Sequence, residues 1–136
     1  MPFWRCYYHV IWTTRYREPR ILPEYESILY AAIEKKSEEL GCPVLAINGV
    51  SDHIHVAVNI RPGIAVGQWA GTVKGVSSRT LNSTFELTER FRWQPGYGVL
   101  TFGARRLSFV QDYIARQKDH HANGELEPYL EQIEDG

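Results

Sequence analysis

The clearest candidate for a chemical site is a pair of histidines, His53 and His55, separated by one isoleucine. They lie in the segment 51–58, Ser-Asp-His-Ile-His-Val-Ala-Val, which is otherwise apolar enough for a buried strand. Because strand side chains alternate between faces, both imidazoles should project from one face and the aliphatic residues largely from the other. Two imidazoles that project together can bind a divalent cation. The alternative is a pair of strand histidines that hydrogen-bond to solvent or backbone.

A second candidate lies in the segment 109–117, Phe-Val-Gln-Asp-Tyr-Ile-Ala-Arg-Gln. On a helix, Tyr113 and Gln117 share a face at i and i+4, and His120 follows at i+7. A separate apolar stripe would dock this helix: Leu107, Val110 and Ile114. Tyr113 is therefore offset from the docking stripe, although an isolated tyrosine here is also compatible with a rim aromatic that packs its ring.

The two candidates suggest one chemistry when they are combined. A tyrosine hydroxyl has a pKa of about 10 and is a poor nucleophile at neutral pH. Beside a metal ion that polarises a phosphodiester, Tyr113 becomes a plausible attacking group. The amide oxygen of Gln117 would add a third ligand to His53 and His55 and leave positions for phosphate oxygens; His120 is the alternative third ligand. A neutral set of this kind with an oxygen-rich substrate suits Mg²⁺ or Mn²⁺.

The elements that must position these residues follow from apolar spacing and from Gly and Pro breakers. The predicted elements are strand 6–14, helix 23–40, strands 43–50 and 53–60, helix 64–81, strand 93–102 and helix 105–121. The last of these strands is broken by Pro95-Gly96 and by Gly98. This order predicts an α+β fold, a ferredoxin-like βαββαβ sandwich with an antiparallel sheet. The last helix, which carries Tyr113, is an addition to that core.

Composition restricts the class of protein. The chain has 136 residues, enough for one domain, which we expect to span residues 1–121. Its two cysteines, Cys6 and Cys42, are far apart and fit neither a redox pair nor a zinc site. No apolar run is long enough for a membrane span, and the N-terminus lacks the regions of a signal peptide, so we expect a cytoplasmic protein without a membrane partner.

The charges are unevenly distributed along the chain. The formal net charge is −1, but five of the 16 acidic residues and none of the 15 basic residues follow position 121. Residues 1–121 therefore carry a net charge of +4, which is compatible with a phosphate ligand. We expect the acidic tail, 122–136, to form at most a short amphipathic helix. Such a helix could dock on its own domain or on a dimer partner, or could shield the surface that binds the phosphate ligand.

The sequence resembles a known family in five stretches. His53-Ile54-His55 resembles the His-hydrophobic-His signature of the HUH nucleases, and its spacing to Tyr113 and Gln117 resembles the single-tyrosine HUH transposases. These are the insertion sequence 200/605 type and their REP-associated relatives. Three further stretches also resemble this family: 8–17, 74–79 and 93–99. The resemblance as a whole covers roughly residues 6–121.

The resemblance implies a metal-dependent transposase that acts on single-stranded DNA with hairpin ends. Tyr113 would attack a phosphate to form a 5′-phosphotyrosine link and free a 3′ hydroxyl, with His53, His55 and Gln117 as ligands of Mg²⁺ or Mn²⁺. A 3′ hydroxyl from a second strand would resolve the link and complete strand transfer. The insertion-sequence members are dimers, so we expect a homodimer, whereas the REP-associated relatives are expected to act as monomers.

Several further residues could contact DNA. The loop after the first strand combines charge with an aromatic face, and the second helix carries two cations beside small residues that would let a phosphate approach. Two aromatic residues near the fourth strand could stack on unpaired bases. The candidates are Arg15, Tyr16, Arg17, Lys74, Arg79, Trp93 and Tyr97. Each is equally compatible with a solvated charge or a core aromatic.

Other functions remain open from the sequence. A domesticated nuclease acting on repeated chromosomal hairpins would share the same chemistry. A non-enzymatic ferredoxin-like nucleic-acid binder gives no reason for a histidine pair facing Tyr113 and Gln117, and a structural or small-ligand sandwich predicts that Tyr113→Phe changes nothing. A replication-initiator nuclease usually has a longer chain and a different order of segments.

Overall fold

A four-stranded antiparallel sheet organises the chain in this computed structural model, which describes residues 3–124 and 130–131. The strands are β1 (Tyr7–Thr13), β2 (Val44–Gly49), β3 (His53–Asn59) and β4 (Gly98–Phe102), in the order β2-β3-β1-β4. The helices are α1 (Pro23–Glu39), α2 (Val66–Phe85), α3 (Leu107–Ala115) and α4 (Gln117–Asn123). The predicted βαββαβ order is confirmed, and the chain continues after it into C-terminal helices.

The two faces of the sheet have different roles. One face carries the apolar residues of the central strands, which pack with α1 and α2 into the main core: Val10, Trp12, Ile54, Val56 and Val58, with Leu29, Ile33, Trp69, Val73 and Leu81. The intervening residues of the same strands point to the other face, as strand alternation requires. That face carries His9, His53 and His55 and is covered by α3.

The turn between β2 and β3 sets the position of His53. Val50 N–H donates to the His53 carbonyl at 3.0 Å and closes the hairpin. A Cβ on Gly49 would lie 2.3 Å from that carbonyl oxygen and 2.8 Å from Ile54 Cα, so only glycine fits this close approach. Because this turn is tight, His53, the first histidine of the pair, is also the first residue of β3.

The fourth strand is shorter than the sequence indicates. We expected a strand over 93–102 with a break at Pro95-Gly96 and another at Gly98; the chain breaks at Pro95-Gly96 as predicted, and the regular strand begins only at Gly98. Trp93 forms an isolated bridge with Thr14, and the chain then turns through Pro95 and Gly96, where Gly96 has a φ of +92°. A positive φ is incompatible with a continuous strand.

The C-terminal helix is two helices rather than the single one predicted over 105–121. After a 3-10 turn at Ala104–Arg106, α3 ends at Ala115, and Arg116 has φ −103° and ψ 22° before α4 begins. The side chain of Asn48 joins this break to β2, since its amide donates to the Ala115 carbonyl at 3.0 Å. Lys118 of α4 donates to the same Asn48 at 2.7 Å.

Only part of the acidic tail lies within the described residues. Residues 122–123 complete α4, and Leu130 and Glu131 pack against the domain, with Leu130 buried at 7% exposure. The rest of the predicted amphipathic helix lies outside the described residues. Within the described part of the chain, no helix is both long and apolar enough to cross a membrane.

Candidate active site

The histidine pair lies buried beneath α3. His53 is 2% exposed and His55 is fully buried, and their ring centroids are 5.2 Å apart. The Nδ1 atom of each ring already has a partner: Asp52 Oδ1 lies 2.7 Å from that of His53, and His9 Nε2 lies 2.8 Å from that of His55. The Nε2 atoms of both rings face one oxygen of the Glu131 carboxylate, Oε1, at 3.4 Å from His53 and 3.2 Å from His55. This is the arrangement that metal-binding histidines adopt.

Tyr113 of α3 contacts the same Glu131 carboxylate. Its side chain is 3% exposed, and its ring centroid lies 6.1 Å from that of His55. The ring stacks on His120 at 4.5 Å, and its hydroxyl donates a hydrogen bond to the carboxylate of Glu131. The structure thus brings Tyr113 beside the histidine pair, as the sequence predicts.

Gln117 and His120 occupy different positions around Tyr113. Gln117 is fully buried, with Oε1 3.1 Å from His121 Nε2 and Nε2 3.5 Å from Glu131 Oε2. His120 lies on the outer side of the cluster, where it packs on the Tyr113 ring. Neither ring nitrogen of His120 has a hydrogen-bond partner among the described residues. Of the two candidate third ligands, Gln117 is the one with side-chain contacts to His121 and Glu131.

Two residues that the sequence interpretation missed complete the cluster. Ligand atoms of His53, His55, His121 and Glu131 all lie within 4.8 Å of one another. Glu131 Oε1 is 3.4, 3.2 and 3.5 Å from the Nε2 atoms of these three histidines. These four side chains are therefore close enough together to hold one divalent cation.

The electrostatics of the cluster favour the neutral form of two imidazoles, His55 and His121, beside one anion. Burial lowers the pKa of His55 and, with a further contribution from neighbouring His53, that of His121. Burial alone would raise the pKa of Glu131, but its hydrogen bonds with His53, His55 and Tyr113 hold it well below the usual range. Glu131 therefore stays ionised, and neutral imidazoles are the form that binds metal ions.

The loop after β1 presents its candidates to solvent. Tyr16 is 70% exposed, and the Arg15 guanidinium lies 4.8 Å above its ring. Tyr16 and Arg17 have φ angles of +58° and +55°, which are uncommon for residues other than glycine. Arg17 pairs with Asp52 at 3.8 Å, so the loop is linked to the residue that precedes the histidine pair.

A basic groove runs beside α2. This open groove has a volume of about 460 Å³, and its charged lining includes Arg90 and Arg92, which the sequence interpretation missed, as well as three predicted residues: Arg15, Lys74 and Arg79. Lys74 donates to the carbonyls of Gln94 and Gly96 at 2.8 Å each, and burial lowers its pKa to about 8. The groove collects cations that are far apart in the sequence.

The two aromatic candidates near β4 are less available. Trp93 is 8% exposed, belongs to the main core and donates from Nε1 to Ser77 Oγ at 3.0 Å. The stacking of Trp93 on unpaired bases stays a prediction, and it would require the ring to leave the core in which it is packed here. Tyr97 is half-buried and packs against the same core.

Comparisons with known proteins assign the chain to a family and show the same fold in related structures. The sequence pattern of the family described as transposase, IS200-like, matches residues 2–117. The transposase for insertion sequence element IS200 of Salmonella typhimurium is 31% identical over 127 residues, covering 90% of this chain and 83% of that protein. The ISDra2 transposase TnpA of Deinococcus radiodurans is 26% identical over 117 residues, covering 82% and 84%.

Solved structures show the same architecture. A candidate transposase from Deinococcus radiodurans R1 superposes with a TM-score of 0.69 and 25% identity, covering 85% of this chain and 93% of the other. A REP-associated tyrosine transposase bound to a REP hairpin superposes with a TM-score of 0.64 at 16% identity, covering 93% and 76%, which establishes similarity of fold. The matched family pattern and the similarity to the IS200 transposase both extend over most of the chain. The chain is therefore a member of the IS200-like transposase family.

Proposed function

We propose that this transposase cleaves and rejoins single-stranded DNA through a covalent link to Tyr113. The phenol oxygen attacks the phosphorus of a phosphodiester, and the bond to the 3′ oxygen breaks. This leaves a free 3′ hydroxyl and a 5′-phosphotyrosine. The 3′ hydroxyl of a second strand then displaces the tyrosine and completes strand transfer. The energy of the broken ester is retained in the covalent link, so no nucleotide cofactor is required.

One observation carries this proposal: the nucleophile and the histidine pair face a single point. The Tyr113 hydroxyl and the Nε2 atoms of His53 and His55 all meet the carboxylate of Glu131. A phosphate is also an anion with several acceptor oxygens. A phosphate bound in place of this carboxylate would therefore lie within reach of the Tyr113 hydroxyl and of the Nε2 atoms of His53 and His55.

The ligand set that we propose starts from His53 and His55, with Gln117 Oε1 as the third ligand. His121 Nε2, 3.1 Å from that oxygen, is a further donor on α4. A divalent cation bound there would polarise the phosphodiester and stabilise the departing 3′ oxygen. Mg²⁺ and Mn²⁺ both suit an oxygen-rich substrate, but imidazole nitrogens favour Mn²⁺ of the two.

We also propose that the basic groove and the exposed loop at Tyr16 hold the DNA. Groove cations, including Arg79 and Arg92, would neutralise backbone phosphates, while the exposed ring of Tyr16 would stack on an unpaired base. Hairpin ends combine both kinds of structure, a duplex backbone and unpaired bases. The homodimer stays a prediction, which sedimentation of the free protein and of its DNA complex would test.

A covalent-adduct assay tests the proposed reaction. The protein is mixed with labelled single-stranded DNA, a pool of hairpins with randomised flanks, in Mn²⁺ or in EDTA. Denaturing gels then separate protein-linked strands. Tyr113→Phe removes the nucleophile, and Tyr25→Phe, on the far side of the sheet in α1, is the matched control.

We expect a metal-dependent adduct in the wild type and in Tyr25→Phe, and none in Tyr113→Phe. An adduct that persists in Tyr113→Phe would assign the nucleophile to another residue. DNA binding without an adduct in any variant would instead support a non-enzymatic nucleic-acid binder.

A further inference from the structure

A buried contact between two imidazoles joins β1 to β3. His9 Nε2 and His55 Nδ1 are 2.8 Å apart, and the ring centroids are 5.0 Å apart. His9 is 2% exposed and His55 is fully buried. The register pairs His9 with Ala57, so His55 is its diagonal neighbour on the same face of the sheet.

The 2.8 Å separation of the two ring nitrogens is that of a hydrogen bond, in which one nitrogen donates and the other accepts. Among the described residues, the other nitrogen of His9, Nδ1, has no hydrogen-bond partner. Among the described residues, His55 is therefore the hydrogen-bond partner of the buried His9 side chain.

The geometry relates this contact to the proposed ligand set. For His55 Nε2 to offer its lone pair to a cation, the ring proton must lie on Nδ1, where it needs an acceptor. His9 Nε2 is placed to accept it. His53 shows the same arrangement, since its Nδ1 lies 2.7 Å from the Asp52 carboxylate. Each histidine of the pair thus has its own partner behind the ring, one from the preceding turn and one from β1.

We propose that His9 is a positioning residue of the metal site. It accepts the Nδ1 proton of His55, fixes the orientation of that ring and leaves Nε2 as the ligating atom. His9 does not touch the cation or the DNA. This inference rests on the proposed function, because it requires that His55 binds a divalent cation.

The test measures Mn²⁺ binding to the full chain by calorimetry, without DNA. His9→Phe keeps a ring of similar size but removes the acceptor. His9→Gln places an amide oxygen near the position of Nε2 and should restore the hydrogen bond. Ile11→Val, a buried residue on the same strand and face that pairs in register with His55, is the matched control.

We expect His9→Phe to weaken Mn²⁺ binding about 10- to 100-fold, as is typical when the partner of a ligating histidine is lost. His9→Gln should stay within a few-fold of the wild type, and Ile11→Val should be unchanged. Equal affinity in His9→Phe and the wild type would overturn the proposal, as would equal losses in the Phe and Gln variants, which would reduce His9 to a packing role. Absence of Mn²⁺ binding in the wild type would instead reject the metal site itself.

A spectroscopic measurement does not depend on any variant folding. In ¹⁵N spectra of the wild-type imidazoles, saturation with the diamagnetic probe Zn²⁺ should place the proton of His55 on Nδ1 and the metal on Nε2. The opposite arrangement, with the proton on Nε2, would overturn the role of His9 as acceptor.

Discussion

The hydroxyl of Tyr113 donates a hydrogen bond to the carboxylate of Glu131, 18 positions further along the chain. The other oxygen of that carboxylate faces the Nε2 atoms of the histidine cluster. Glu131 lies beyond residue 117, where the match to the family pattern ends. It occupies the point at which the proposed reaction places a DNA phosphate.

Glu131→Gln should strengthen DNA binding in the absence of metal. Two unit charges about 4 Å apart repel by about 1 kcal/mol even in water, which corresponds to about fivefold in Kd. We therefore expect a Kd for a single-stranded hairpin that is lower by about fivefold or more, measured by fluorescence anisotropy in EDTA. Glu39→Gln makes the same charge change on α1 and serves as the control. Equal shifts in both variants would mean that only the net charge matters.

Gly49→Ala should destabilise the β2–β3 hairpin and disturb His53. The new Cβ would lie 2.3 Å from the His53 carbonyl oxygen, so the backbone must shift at an expected cost of about 1–3 kcal/mol. Urea denaturation measures the loss of stability, and calorimetry measures the accompanying loss of Mn²⁺ affinity. The control is Gly71→Ala in α2, where a Cβ meets nothing within 4 Å. That change should stabilise the protein by about 0.4–1 kcal/mol. Unchanged stability of Gly49→Ala would show that the turn relaxes freely.

Arg92→Gln should reduce the salt dependence of DNA binding. A cation that neutralises one phosphate adds about 0.7 to the slope of log K against log salt for single strands and about 0.9 for duplex. We therefore expect the slope for Arg92→Gln to be shallower than that of the wild type by about this amount. Binding is measured at salt concentrations between about 50 and 200 mM, the range over which protein–DNA affinities change strongly. Lys35→Gln on the exposed face of α1 removes the same charge far from the groove. A slope that changes equally in both variants would argue against the groove as the DNA surface.

Acidification should destabilise the metal-free protein through His9. Its pKa is about 6.5 when unfolded and is lowered to about 3 when folded, so the unfolded chain binds an extra proton between these values. The free energy of unfolding from this group therefore falls as pH decreases from about 6.5 towards 3, by up to about 1.4 kcal/mol per pH unit. Urea denaturation in EDTA at several pH values measures this slope. His9→Phe should show a shallower slope, and parallel slopes would contradict the expectation.

The sequence predicts the sheet well because its signals there are local. Alternation in β3 places His53 and His55 on one face, and helical spacing places Tyr113 and Gln117 together. The break at Pro95-Gly96 is also predicted, because these residue types mark it. The break at Arg116 is missed, because it occurs without Gly or Pro and leaves no signal in the residue types.

The rest of the cluster depends on contacts between distant segments. His9 lies in a strand of apolar and aromatic residues, where nothing in the spacing relates it to His55. Glu131 belongs to a tail whose acidic character alone indicated a solvated segment or a docking element. Proximity of these residues to the histidine pair arises only when β1, β3 and the tail are assembled.

The apolar packing beneath α3 is small compared with the main core. A second cluster, formed by Ala57, Val110 and Ile114, joins this helix to the sheet, whereas α1 and α2 are fixed by the large core on the other face. Segments with little buried apolar contact open at a lower free energy than the global unfolding transition. Amide hydrogens of α3 should therefore exchange sooner than those of α1 and α2. Tyr113 would then belong to a helix that can separate from His53 and His55 while the rest of the fold stays intact. Exchange of α3 between two copies of the chain would require such a separation.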